Sequence, residues 1–197
     1  MQGIGWEFAG VELTDGGYIK VNERLETTAP GVWAVGDAAG SPHFTHIGFD
    51  DFRIVLENLA GGNRVTTGRQ VPFCLFTDPE LARVGMSEVE ARERGLHYRL
   101  FKIPADSVLR TRTLSETRGF LKALVASESA RILGFTAFCA GAGEVMASVQ
   151  IAMIAGLPYT ALREAILTHP TLTEGLVALF SSTPSVRRAD GTMAQTA

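Results

Sequence analysis

Near the end of the chain, Leu167-Thr168-His169-Pro170-Thr171-Leu172-Thr173-Glu174 places a histidine and a carboxylate a few residues apart. Those residue types suit acid–base chemistry. A histidine titrates near neutral pH, and a carboxylate that accepts one ring N–H fixes its tautomer and raises its basicity. The same spacing has a structural reading, because Thr171-x-x-Glu174 is a capping-box pattern in which Glu174 satisfies only its own helix. Spacing leaves both open. A second constellation is Gly36-Asp37, which ends the apolar run Val32-Trp33-Ala34-Val35. There a glycine lets a ligand approach the backbone, a carboxylate accepts hydrogen bonds from hydroxyls, and a following helix offers N–H groups at its start. An Asp in such a turn serves a purely structural purpose equally well. Cys74 and Cys139 stand far apart in apolar stretches and read as buried free thiols, with a disulfide between them left open. No Cys-x-x-Cys redox pair occurs, and no metal site is expected.

These residues need elements to position them. Val11-Glu12-Leu13, the turn Thr14-Asp15-Gly16-Gly17 and Tyr18-Ile19-Lys20-Val21 read as β-rich, and Val32–Val35 as a short buried strand. After Pro42, apolar residues at Ile47, Phe52, Val55, Leu56 and Leu59 fit a helix, which Gly61-Gly62-Asn63 stops. A composition shift at Thr66-Thr67-Gly68-Arg69 predicts a boundary between residues 1–66 and a second domain over 67–184. Strand-like runs follow at 71–76, 82–84, 98–103, 120–126 and 132–139, interrupted by one charged helix with Ser87 as N-cap and Gly95 as stop. Helical stretches over 142–155, 158–165 and 172–181 close the chain, and 185–197 reads as a flexible tail. Strands first and helices last predict an α+β domain, an antiparallel sheet covered by helices.

Composition narrows the function classes. The 197 residues are 46% hydrophobic and 20% charged, with a formal net charge of −3, so a basic nucleic-acid surface is not indicated. No apolar run is long enough to cross a bilayer, and the first residues lack the pattern of a signal peptide. A cytoplasmic protein is the default expectation.

The wider segment Thr27-Thr28-Ala29-Pro30-Gly31-Val32-Trp33-Ala34-Val35-Gly36-Asp37 resembles the second FAD-binding motif of the flavoprotein disulfide reductases, which include dihydrolipoamide dehydrogenase, glutathione reductase and mercuric reductase. The resemblance implies that Asp37, beside Gly36, binds a ribityl hydroxyl of FAD. It also implies that backbone N–H groups near Phe44, Thr45 and His46, in Pro42-His43-Phe44-Thr45-His46, face the flavin and stabilise its reduced charge. This sequence departs from the family at Phe44 and Thr45, and His43 and His46 read equally well as turn residues. His-Pro-Thr-x-x-Glu at residues 169–174 resembles the C-terminal signature of the same enzymes. There the resemblance implies that His169 is the acid–base group, that Glu174 orients it, and that the His169–Pro170 bond is cis. The family's second histidine is replaced by Leu167. Because the family's histidine serves the other subunit's active site, a homodimer is implied.

Two further stretches add to the resemblance. Phe76-Thr77-Asp78-Pro79-Glu80-Leu81-Ala82-Arg83-Val84-Gly85 is similar to the opening of the family's dimerisation domain, preceded here by a partial FAD-binding-domain segment. Gly141-x-Gly143 reads as a helix start, since no third glycine or βαβ unit accompanies it. Asp50-Asp51-Phe52-Arg53-Ile54 is similar to the mercuric-reductase-like branch, although paired tail cysteines are absent. The resemblance runs from Gly3 to Pro184 but spans only the last part of a complete family member. The ADP-binding glycine loop, the redox cysteine pair and the NAD(P)-binding domain are absent from these residues. The expectation is a C-terminal piece of an FAD-dependent NAD(P)H:disulfide or metal-ion oxidoreductase, inactive on its own. The alternative is a noncatalytic homodimerisation or partner-binding module.

Overall fold

A computed structural model describes residues 3–187 and Thr192 and divides the chain into two compact units, Met1–Val71 and Pro72–Ala197. The division falls after Val71 rather than after residue 66, because the intervening residues are tied into the first unit. Thr66 N–H and Thr67 Oγ1 bond Glu23, and Arg69 pairs with Asp50 and Asp51.

In the first unit, isolated bridges pair Leu13 with Ile19, Val21 with Thr27 and Glu26 with Trp33. Val11, Ile19, Ala29 and Ala34 form a small core beneath them. The expected strand at Val32–Val35 does not form: only Ala34 is buried, while Val32 and Val35 are each 39% exposed. The Thr27 N–H to Val32 C=O and Ala34 N–H to Leu25 C=O bonds flank the single Glu26–Trp33 bridge, and the pairing goes no further. A 3-10 turn over Gly36–Ala39 follows, then the helix α1, Thr45–Leu59. Its buried positions are Ile47, Asp51 and Ile54, at i, i+4 and i+7. The stripe suggested by Phe52, Leu56 and Leu59 instead faces outward.

The second unit is a six-stranded antiparallel sheet with strands β1 (Phe73–Leu75), β2 (Glu80–Gly85), β3 (Tyr98–Pro104), β4 (Phe120–Ala126), β5 (Ile132–Cys139) and β6 (Ser185–Arg187). Their order is β1-β2-β5-β4-β3-β6. Ser185–Arg187, expected to fray, pairs instead with Leu100–Tyr98 of β3, covering what would be an open edge. The remainder of the expected tail, apart from Thr192, lies outside the described residues. Helix α2 (Glu88–Glu93) opens on a complete capping box between Ser87 and Glu90. A short helix α3 (Leu109–Thr113) links β3 to β4. Helices α4 (Ala142–Ile154), α5 (Tyr159–Arg163) and α6 (Gly175–Ser181) close the fold.

Alternation along the strands sorts the sheet into two faces. One carries Ala82, Val84, Phe101, Ile103, Leu121, Ala123, Val125, Phe135 and Ala137, packed with Val145, Val149, Leu176, Leu179 and Phe180 of α4 and α6. On the other, Ala91 of α2 covers Tyr98, Leu100 and Leu124. The register shift between Leu124 and Val125 lets Leu133 join this second cluster. Gly134 is required there, since a Cβ would lie 2.0 Å from the Met86 carbonyl oxygen. The result is an α+β fold, an antiparallel sheet covered by helices. No helix among the described residues is long and apolar enough to cross a membrane.

Candidate functional site

Residues 164–174 carry the chain from α5 to α6 through a turn with little regular structure, and the His169–Pro170 bond in it is cis. Thr171 Oγ1 donates to the Thr168 carbonyl at 2.8 Å and accepts the Glu174 N–H at 3.2 Å. These bonds close the turn before the helix. The expected Thr171–Glu174 capping box does not form, because α6 starts at Gly175 with Glu174 as its N-cap residue and no side-chain capping bond. Both carboxylate oxygens of Glu174 approach His169 Nδ1, at 2.8 and 2.9 Å. An ionised carboxylate only accepts, so Nδ1 carries the proton, and in the neutral ring Nε2 holds the free lone pair. The imidazole is 60% exposed, which leaves Nε2 accessible. Leu172, just before α6, and Leu176, within it, pack the C-terminal end of the turn against the core.

The cysteines do not join this site. Both are free thiols, Cys139 buried and Cys74 partly so. Burial, then the Glu80 charge, pushes the Cys139 thiol up to about 11, and the same two causes raise Cys74. Both thiols stay protonated and are poor nucleophiles at neutral pH.

In the first unit, Gly36 adopts φ +58° and turns the chain so that Asp37 points outward, exposed. The Asp37 carbonyl accepts the Gly40 N–H, while its carboxylate has no hydrogen-bond partner among the described residues and is available to hydroxyl donors. Gly36 faces Gly48 of α1, where a Cβ on either would make an ordinary contact at 3.7 Å, so it is the positive φ of Gly36 that calls for glycine there. Phe44 is the N-cap of α1, Thr45 its first residue, and the rings of Phe44 and His46 stack at 5.4 Å. A helix start presents N–H groups and partial positive charge. His43 packs edge-on to Tyr18 at 5.8 Å.

The sequence reading missed Asp51. It is fully buried in α1, where Oδ2 accepts the Gly36 N–H at 2.8 Å and Oδ1 pairs with Arg69. Asp50 beside it holds Arg64 at 2.6 Å. A visible signal existed: Asp51 falls in the Ile47–Ile54 stripe, and a carboxylate on a buried face needs partners. The acidic pair thus braces the Gly36-Asp37 turn.

The chain is similar in sequence and fold to known proteins. The family model of the pyridine nucleotide-disulphide oxidoreductase dimerisation domain matches residues 71–180, and the pyridine nucleotide-disulphide oxidoreductase model matches residues 2–51. The probable pyridine nucleotide-disulfide oxidoreductase RclA of Escherichia coli is 44% identical over 89% of this chain and 40% of its own length. Dihydrolipoyl dehydrogenase of Thermus scotoductus is 38% identical over 89% of the chain and 38% of its own. The solved structure of the HOCl-induced flavoprotein disulfide reductase RclA from Escherichia coli superposes with a TM-score of 0.86 at 42% identity, covering 90% of this chain and 41% of that one. The chain thus spans about two fifths of the length of the relatives it matches.

Proposed function

The chain belongs to the pyridine nucleotide-disulphide oxidoreductases, and from that premise we propose that it contributes the acid–base histidine, part of the flavin site and a dimer-forming face to an FAD-dependent NAD(P)H:disulfide or metal-ion oxidoreductase. One observation carries the reading. Glu174, the N-cap residue of α6, makes no capping bond with its side chain and gives both carboxylate oxygens to His169. A carboxylate placed only to cap would accept a backbone N–H of that helix start.

His169 acts through Nε2. With Nδ1–H held by Glu174, Nε2 takes the proton of a substrate thiol, leaving a thiolate, and returns a proton to the departing thiolate of a reduced disulfide. Glu174 stabilises the imidazolium formed between those steps. In the first unit, Gly36 admits a ligand to the backbone, Asp37 accepts from a ribityl hydroxyl, and the backbone at Phe44, Thr45 and His46 faces the isoalloxazine edge. The outward Asp37 carboxylate and the Gly36–Gly48 approach fit such a ligand. The flavin, when bound, supplies electron transfer between nicotinamide and disulfide. Homodimerisation and a cytoplasmic setting, which suits two free thiols, complete the proposal. A noncatalytic dimerisation module is the second reading, favoured by the apolar residues that α4 leaves exposed.

A chimera tests the first reading. With this chain replacing the matching part of RclA, the protein should hold FAD and reduce disulfides. His169→Ala should then slow the disulfide half-reaction by about 10²–10⁴ while flavin content stays constant. Unchanged turnover would reject the role of His169.

A further inference from the structure

The sheet face opposite α4 is only half covered, because α2 ends over Tyr98 and Leu124. Between α2 and the strands lies a groove of about 480 Å³. Four cations line it, Arg83, Arg92, Lys122 and Arg187, against one lining carboxylate, Glu88.

That carboxylate is already engaged. Glu88 Oε1 accepts from Lys122 Nζ at 2.8 Å, and Oε2 lies 3.5 Å from the Tyr98 hydroxyl. Arg83 borders Glu90 at 3.5 Å, but that carboxylate makes a shorter bond of 2.7 Å to the Ser87 N–H. Arg92 and Arg187 make no ion pair within 4 Å among the described residues, although both charges act on Glu88 and Arg92 Nε donates to the Glu88 carbonyl at 3.3 Å. Register concentrates the charge further. Arg83 stands opposite Thr136, Thr136 opposite Lys122, and Lys122 opposite Lys102, all on this face. Like charges directly opposed destabilise a sheet. Here both lysines lean over the Phe120 ring, at 4.7 and 5.9 Å, which offsets only part of that repulsion.

We propose that this groove binds a small multivalent oxyanion, bearing phosphate or carboxylate groups, held chiefly by Arg92 and Arg187. Guanidinium forks match oxyanions geometrically, and Arg92 and Arg187 bring two of them to the groove wall. The volume is that of an ordinary small-ligand pocket. Glu88 and Glu90 face two of the four cations, which leaves two positive charges and favours an anion that carries more than one negative charge. This site is independent of the histidine and the flavin segment.

Calorimetric titration of the full 197-residue chain with sodium pyrophosphate, and separately with citrate, in low-salt phosphate-free buffer tests it. Saturable binding of one anion per chain is expected, weakening as sodium chloride is added. Tighter pyrophosphate identifies a phosphate-bearing ligand, and tighter citrate a polycarboxylate. The double variant Arg92→Gln/Arg187→Gln should weaken binding about tenfold or more, with Arg112→Gln on α3 unchanged. Circular dichroism establishes that the variants keep the fold. Absence of saturation at millimolar anion, or full affinity in the folded double variant, would show a purely structural ion-pair network and overturn the proposal.

Discussion

Glu174 turns to His169 because Thr171 fixes the intervening turn from below, accepting the Glu174 N–H and donating to Thr168. The carboxylate is then released from capping and held beside the ring. From the residues alone this pairing and a capping box were both open; the resemblance to the reductases favoured the pairing, and the geometry agrees with it. Asp51 was not legible in the same way, since an acidic pair on a helix reads first as a solvated face. Its burial makes it a positioning residue for Gly36-Asp37, and a sharp prediction follows from its two partners. Asp51→Asn keeps an acceptor for the Gly36 N–H but removes the charge that faces Arg69, itself only 14% exposed. Asp50 still faces Arg69 at 3.4 Å, so the loss is that of one charged hydrogen bond, about 1.5 kcal/mol, rather than of the whole pairing. Urea denaturation should show the first unit losing that stability while the second keeps its own midpoint. A simultaneous, equal shift of both units, or none, would mean Asp51 does not brace the turn.

At the scale of elements, β3, β4, β5 and α4 were read from alternation and from Gly141, which takes φ +63° as the N-cap of α4. These are long, strongly patterned segments. Short ones were not readable: α3 is five residues with two threonines, and β6 is three residues in a polar stretch. Both exist through tertiary pairing rather than through local preference. Helix α2 shows how sequence-visible capping and invisible charge pairing combine. Burial pushes the Glu88 carboxyl up, but the Lys122 hydrogen bond and charge, with Arg187 and Arg92, outweigh it and hold Glu88 below the ordinary carboxylate range. A group depressed in the folded state is protonated more readily in the unfolded one, so stability rises with pH through this range. The contribution is complete above the ordinary carboxyl value and is lost as pH falls through the lowered one. Thermal midpoints measured across acidic pH should therefore fall less steeply in Glu88→Gln than in the unaltered chain. Parallel curves would remove Glu88 from the account.

The whole molecule leaves apolar surface where a self-sufficient chain would place polar residues. Helix α4 buries Val145, Met146, Val149 and Ala152 against the sheet. It then presents Ile151 and Ile154 on its outer side, 65% and 63% exposed, with Leu157 just beyond. A helix that is apolar on both sides is normally covered on both. Residues 71–180 match a dimerisation-domain family, and in the proposed reading a second copy of this chain covers that face. This reading is separable from the histidine chemistry, because Ile151 lies in another element from His169. Ile151→Asp places a charge on the exposed face and removes no internal contact of consequence, so the monomer's own stability should change by no more than about 0.5 kcal/mol. An interface, by contrast, would have to bury that carboxylate unpaired, at a cost large enough to dissociate it. Light scattering after size exclusion should give twice the 21.1 kDa chain mass for the unaltered protein and a single chain mass for Ile151→Asp. A monomeric unaltered protein, or a variant that remains dimeric, would place the dimer contact elsewhere than on α4.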